Sequence, residues 1–250
     1  MEILVCVKRV PETGARITLT ADEREIDTAY LGFTISPHEE CAVEEALRLV
    51  EAHGGSTTVL TLGPAAAAEQ LRNALAMGIG AGILLETDGE EFDPAATAAA
   101  IADAVRDRGF DLLLFGNEAA DSGGYQVPVR VAAALGLPCV TGIKGIEIEG
   151  GLAVARREAA GGWEVFDVPL PAVISVKEGI NLPRFPSLPG RLRAKKAELE
   201  TRRPERRAPG LEKVRLVVPA EEPSAVEILG EGPEAAPRVA EVLRELGVVS

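Results

Sequence analysis

SPHEECAVEEALRLVEAHGGSTTVLTL, residues 36–62, decides the fold class. Ser36 reads as a helix N-cap, Pro37 as the first helical residue and Glu39 as the capping-box carboxylate three positions on. Val43, Ala46, Leu47 and Val50 then recur at helical spacing, and Gly54-Gly55 stops the helix. Thr57–Leu62 follows as a near-continuous apolar strand, of the kind buried on both faces of a parallel sheet. Working outward, Ile3–Val7, Ile83–Leu85 and Leu112–Phe115 read as further strands of the same type. Three more helices fall between or after them. One starts at Pro64 and runs to Gly78. Asp93-Pro94 opens the next, with Ala98, Ile101, Ala102 and Val105 inward. Val127, Val131, Ala134 and Leu135 outline the last, closed by Gly136. The β-α-β-α order predicts an α/β protein with an open, mostly parallel, doubly wound sheet.

Composition agrees with that class. The chain has 250 residues, 46% hydrophobic and 26% charged, with an acidic net charge of −13. This excludes a disordered chain and leaves material for a sizeable core. Strong acidity argues against nucleic-acid binding, which needs a basic footprint. No apolar run reaches the ~18 residues of a membrane span. MEILVCVKRV opens as a strand and not as a secretion signal, so a soluble, cytoplasmic protein without membrane insertion is expected. Three scattered cysteines and two histidines indicate neither a disulfide framework nor a metal centre.

The character changes after residue 140. Ile146–Ile148 and Leu152–Val154 flank Gly150-Gly151, a hairpin turn. Trp163–Val168 continues this antiparallel excursion, and Pro171–Val176 reads as a return strand. From Arg184 to Arg207 nine basic residues face three acidic ones, an island of positive charge in an acidic chain. Residues 208–250 are proline-rich, with a weak strand at Val214–Val218 and a final helix from about Glu234 to Leu246. The expected organisation is a core over 1–183, a basic loop and following helix over 184–207, and a C-terminal arm over 208–250.

Ligands of open parallel sheets bind beyond the carboxyl ends of the strands, near the switch point. The loops there include 8–14, Gly63-Pro64 and 116–126. The last, GNEAADSGGYQ, has three glycines before a helix. It reads either as a phosphate cradle or as a flexible connection. No G-x-G-x-x-G, P-loop or nucleophile elbow occurs. Cys6 reads as a small core residue, and His38 as either a ligand contact or a surface or capping residue. Side-chain catalysis is not supported, so any chemistry belongs to a bound cofactor. In LPRFPSLPGRL, residues 182–192, prolines 183, 186 and 189 are expected to prevent a helix and to project Phe185 and Leu188 among arginines. That pattern fits docking of an acidic partner; alternatively both side chains fold back on the core.

Five blocks in order resemble the electron transfer flavoprotein beta subunit family. They are VCVKRVPETG (5–14), SPHEECAVEEALRL (36–49), LGPAAAAEQLRNALAMGIGAGILL (62–85), GNEAADSGGYQVP (116–128) and LPRFPSLPGRLRAKK (182–196). The resemblance covers roughly residues 1–200 and implies a Rossmann-like, adenine-nucleotide-binding sheet. It implies a heterodimer with an alpha subunit that holds most of an FAD. The beta chain closes over that FAD with a loop that here includes Val10 and Thr13. It also implies AMP in the beta chain's own crevice, or a second FAD in electron-bifurcating members. By block alignment that site maps to Cys6, then to Ser36, Pro37, His38 and Glu39, and then to Leu62. It continues through Ala119, Ala120, Asp121, Ser122, Gly123, Gly124, Tyr125, Gln126, Val127 and Arg130. Ser36 stands where the family has Asn, and Tyr125 adds bulk.

Leu188 falls on the leucine that anchors the family's recognition loop in dehydrogenases, with Arg184, Phe185, Lys195 and Lys196 around it. The implied partners are the alpha subunit, acyl-CoA and related dehydrogenases of fatty acid oxidation, and an electron transfer flavoprotein-quinone oxidoreductase. The implied role is an electron carrier subunit and not an enzyme. The alternatives are the bifurcating type with two flavins and, from another class, a stand-alone adenine-nucleotide-binding regulatory module.

Overall fold

The computed structural model describes residues 1–12, 14, 16–89, 91–211, 213–220 and 226–249. The chain divides into two compact units, Met1–Arg215 and Leu216–Ser250.

In the first unit the elements run β1 (Glu2–Cys6), β2 (Val10–Pro11), β3 (Phe33–Thr34), α1 (Pro37–His53), β4 (Ser56–Gly63), α2 (Ala68–Met77), β5 (Ala81–Glu86), α3 (Pro94–Val105) and β6 (Leu112–Gly116). They continue with α4 (Val127–Leu135), β7 (Cys139–Glu149), β8 (Leu152–Ala159), β9 (Gly162–Pro169), β10 (Ala172–Val176), α5 (Leu188–Lys196) and β11 (Glu200–Arg202). One nine-stranded sheet has the order β11-β5-β4-β1-β6-β10-β7-β8-β9. Every pairing from β11 to β7 is parallel. β7-β8-β9 form the antiparallel excursion. The doubly wound α/β reading holds.

Alternation along β1 sorts the core. Ile3 and Val5 join the cluster under α1 and α2, whereas Leu4 and Cys6 join the one under α3 and α4. Successive strand residues point to opposite faces, so each apolar run serves two cores at once. Helix α1 begins and stops where its signals place it, with Pro37 in the first turn and Gly54 as its C-cap. Its Val43, Leu47 and Leu49 are buried, each stabilising by about 1.5–3 kcal/mol relative to exposure. The Asp93 carboxylate caps α3 by accepting the Ala96 amide at 2.7 Å.

Three expectations are corrected. Residues 188–196 are helical despite Pro189, because the proline lies in the first turn, where its missing N–H has no intrahelical partner to lose. Val214–Val218 forms no strand, since none of the described residues offers it a ladder. The C-terminal helix, α6, is shorter than expected: Ala236–Glu245, preceded by a 3₁₀ turn at Gly232–Ala235. Strand β11, pairing with β5, was not expected at all. In the second unit no described residue is buried. No helix among the described residues is long and apolar enough to cross a membrane.

Candidate functional site

The sheet order places the switch point at β1. The chain adds β4 and then β5 on one side of it, and β6 and β10 on the other. A crevice therefore opens beyond the carboxyl ends of β1 and β6, where successive crossovers diverge. Three segments border it: the residues after β1, the start of α1, and the loop between β6 and α4.

Close packing brings them together. Gly116 ends β6 directly against α1. A Cβ there would lie 2.6 Å from Glu39 Cγ and 3.0 Å from the Glu39 amide nitrogen, so a side chain at this position would push the helix start away. Ser36 donates its hydroxyl to the Glu118 carbonyl at 3.4 Å, tying α1 to the loop after β6. Glu39 accepts the Ser36 amide at 3.2 Å. Upstream, Val10 pairs with Thr34 in the β2–β3 ladder, which fixes the approach to Ser36. Lys8, the second residue beyond β1, reaches across the crevice. Its Nζ lies 2.7 Å from Asp121 and donates to Ser122 Oγ at 3.4 Å.

Glu39 is only 6% exposed. Burial pushes its carboxyl up to about 8, against hydrogen bonds from the Lys8 and Ser36 amides and the positive charge of Lys8. The folded value exceeds the ordinary 4.5, so ionising Glu39 costs stability as pH rises from 4.5 towards 8. Cys6 is buried too, and desolvation raises its thiol far above the reactive range. It acts as a core residue.

The loop after β6 turns on the Ala119 carbonyl, which accepts the Gly123 amide at 2.9 Å. A Cβ on Gly123 or Gly124 would meet nothing within 4 Å, so open space stands over the loop. Tyr125 has a φ of 55° and is 56% exposed. That backbone conformation is uncommon for a non-glycine residue. Gln126 Oε1 accepts two bonds from Arg130, at 3.1 and 3.0 Å, across the first turn of α4, which begins at Val127. The crevice continues into an open pocket of about 340 Å³ where His38, Glu118 and Tyr125 meet Lys144, Lys177 and Glu178. His38 Nδ1 accepts the Glu178 amide at 3.1 Å, and its Nε2 lies 3.5 Å from Glu118.

Sequence reasoning set Lys8 at the head of a crevice loop without giving it a role, and missed Lys144 and Lys177. Lys177 was findable, since it lies just past the carboxyl end of a parallel strand. Lys144 was not, because the register shift between Ile143 and Gly145 places it.

The sequence profile of the electron transfer flavoprotein domain matches residues 25–206. The chain is 39% identical over 202 residues to the electron transfer flavoprotein subunit beta of Bacillus subtilis, covering 80% of this chain and 78% of that one. It is 42% identical over 202 residues to the subunit of that name from Syntrophomonas wolfei, covering 80% and 79%. For Mycobacterium bovis the figures are 40% over 204 residues, 79% and 77%. The chain belongs to the electron transfer flavoprotein beta subunit family.

Within this family member, the crevice gathers Ser36, Pro37, His38, Glu39 and Ala119–Tyr125. Leu62, half-buried near the end of β4 beside β1, flanks it. Thr13 lies outside the described residues. The positions marked for docking are elsewhere: Arg184 lies beside the middle and far end of α1, and α5, which carries Leu188, Lys195 and Lys196, packs on α2. Phe185 is 95% exposed and Leu188 73%, so neither folds back on the core. Lys195 and Lys196 are exposed on α5. Arg184 behaves differently: its guanidinium turns inward onto Glu44 and Glu51 of α1.

Proposed function

We propose that this chain is the electron-carrying beta subunit of a heterodimer, with AMP in its own crevice and FAD held mainly by an alpha subunit. It would take electrons from acyl-CoA and related dehydrogenases and deliver them towards a quinone oxidoreductase. The observation that carries the reading is the crevice itself. An open glycine turn, Gly123-Gly124, stands beside a lysine, Lys8, at the switch point of a parallel sheet. That is the chemistry an adenine nucleotide's phosphate needs: an open main-chain turn, a nearby cation and the start of a helix. Bound phosphate would compete with Asp121 for Lys8. Ser36 and Glu118 would fix the wall between phosphate and base, and Tyr125 offers an aromatic face.

FAD supplies the one- and two-electron chemistry when bound. This chain's residues do other work. Val10, held in the β2–β3 ladder, presents the loop that would wall the flavin pocket. Phe185 and Leu188 present an apolar surface, flanked by Arg191, Arg193, Lys195 and Lys196, that suits a donor with an acidic rim. The segment after residue 207, where Leu211, Val214, Val226 and Ile228 are exposed, would pack on the alpha subunit.

Co-expression with the alpha partner tests this, by extraction of the bound nucleotides and identification by mass and absorbance. One FAD and one AMP per heterodimer is the expected result. Two FAD would instead assign the bifurcating type. A chain that binds adenine nucleotide yet never associates with a flavin-carrying partner would be the regulatory module.

A further inference from the structure

Residues 181–197 show an unusual combination. Four large apolar side chains stand in solvent, with Leu182 83%, Phe185 95%, Leu188 73% and Leu192 59% exposed. Yet their main chain is fastened at several points. Asn181 Nδ2 donates to the Cys41 carbonyl at 2.9 Å and to Glu45 at 2.8 Å. Ser187 Oγ accepts the Gly190 amide at 3.1 Å and so caps α5. Gly190 is seated against α2 so closely that a Cβ would lie 2.3 Å from the Ala76 carbonyl oxygen. Arg72 of α2 donates to the carbonyls of Ala194 and Ala197 at 2.6 and 3.1 Å.

The densest of these fastenings is Arg184. Its main-chain amide donates to Glu44 Oε2 at 3.1 Å and its Nε to the same oxygen at 2.8 Å. One Nη reaches Glu44 Oε1 at 3.1 Å, and the guanidinium holds both Glu51 oxygens at 2.5 and 3.0 Å. Glu44 and Glu51 are seven positions apart on α1, two helical turns, so they sit one above the other on the same face. A planar guanidinium can bridge two carboxylates at that spacing, which an ammonium cannot reproduce. Arg48, one turn from Glu44, donates to Glu44 at 3.0 Å and aligns it from below. Glu44 has a side chain only 4% exposed, so removing Arg184 would leave that buried charge with Arg48 as its remaining cationic partner.

We propose that Arg184, held by Glu44 and Glu51, is a positioning residue for the docking surface. It fixes the direction of Phe185 and Leu188 before a donor protein arrives. It does not itself touch the donor. The proposal rests on the docking reading above and deepens it. Fixing the segment in advance removes an ordering cost from association, so it acts on affinity for the donor. Electron transfer within the assembled complex does not depend on it.

A double-mutant cycle in the heterodimer tests the idea, using reduction by a substrate-reduced flavin dehydrogenase. Arg184→Gln should raise the donor KM about 10-fold with kcat within about twofold, because only encounter geometry is lost. Leu188→Ala should raise KM by a similar factor. In the Leu188→Ala background the Arg184→Gln effect should shrink below about threefold, since the residue being positioned is gone. Arg184→Lys should recover part of the loss. Glu51→Gln, at the exposed end of the clamp, keeps the buried pair intact and should raise KM about threefold. FAD content is the control for general damage. Equal fold-changes in both backgrounds, or a fall in kcat at unchanged KM, would overturn the positioning role while leaving docking in place. If Leu188→Ala leaves the donor KM unchanged, the docking reading fails and the inference with it.

Discussion

Residues 181–197 and the described residues of the second unit, 216–220 and 226–249, both display apolar side chains to solvent, but they do so in opposite physical states. In the first segment the display is held by the Arg184 clamp, the Ser187 cap and the seat of Gly190. In the second, Val226, Ile228, Leu246 and Val248 are exposed by 79%, 82%, 70% and 67%, and no described residue is buried. A fixed apolar display suits repeated, brief encounters, because little order is lost on binding. An apolar segment that buries little of itself suits a lasting assembly that repays its ordering. On the proposed function, the first segment is the surface for a transient donor and the second the surface for a permanent companion.

The largest test of that contrast is removal of residues 216–250. Affinity for the alpha subunit should drop by about 100-fold or more, as expected when several apolar anchors are lost together. Cooperative unfolding of residues 1–215, which carry the core, should persist, and calorimetry of the truncated chain checks it. Survival of full heterodimer affinity would erase the distinction. Next, Gly190→Ala places a methyl group into the Ala76 carbonyl. It should cost about 1–3 kcal/mol, read as a fall in Tm, because backbone must move to admit it.

A pH test probes the clamp alone. Burial by itself would lift the Glu44 carboxyl, but hydrogen bonds from Arg184 and Arg48 outweigh it and hold it below the ordinary 4.5. Arg184 likewise holds Glu51 down. A carboxylate with a depressed folded value stabilises above its unfolded value and loses that contribution as pH falls through the folded one. Amide exchange in 181–190, corrected for intrinsic rate, should therefore lose about 10-fold protection between pH 5 and pH 3. Exchange in 226–249 should stay fast throughout. The smallest effect is expected from Phe185→Ser and Leu246→Ser in the isolated chain. Each should change stability by less than about 0.5 kcal/mol, since neither side chain is buried on folding.

Much of the crevice was legible in the chain. Ser36, Pro37 and Glu39 carry a helix start whatever surrounds them, and GNEAADSGGYQ announces a turn before a helix. The docking segment was half legible. Its prolines correctly marked a fixed, projecting display, but Pro189 was misread as barring a helix that it starts. Arg184 is grouped with the docking side chains because it lies in the block that resembles the family's recognition loop; only packing against α1 reveals that its charge is spent internally. Glu44 and Glu51 carry no signal of their own, since acidic residues on a helix usually face water. The Val214–Val218 strand failed because a strand needs a neighbour, and apolar alternation cannot say whether one exists.

By itself the sequence determined the α/β class, the order of sheet strands and helices from β1 to α4 apart from the short β2–β3 ladder, and the family. Those properties rest on local periodicity, caps and short motifs, whose causes lie within a few residues of one another. The tertiary structure alone decided that Lys8 crosses to Asp121, that Gly116 must be bare to admit Glu39, that β11 closes the sheet edge, and that Arg184 bridges two turns of α1. Each of these joins residues at least 77 positions apart, and such contacts depend on how the sheet stacks its strands, which no local pattern encodes.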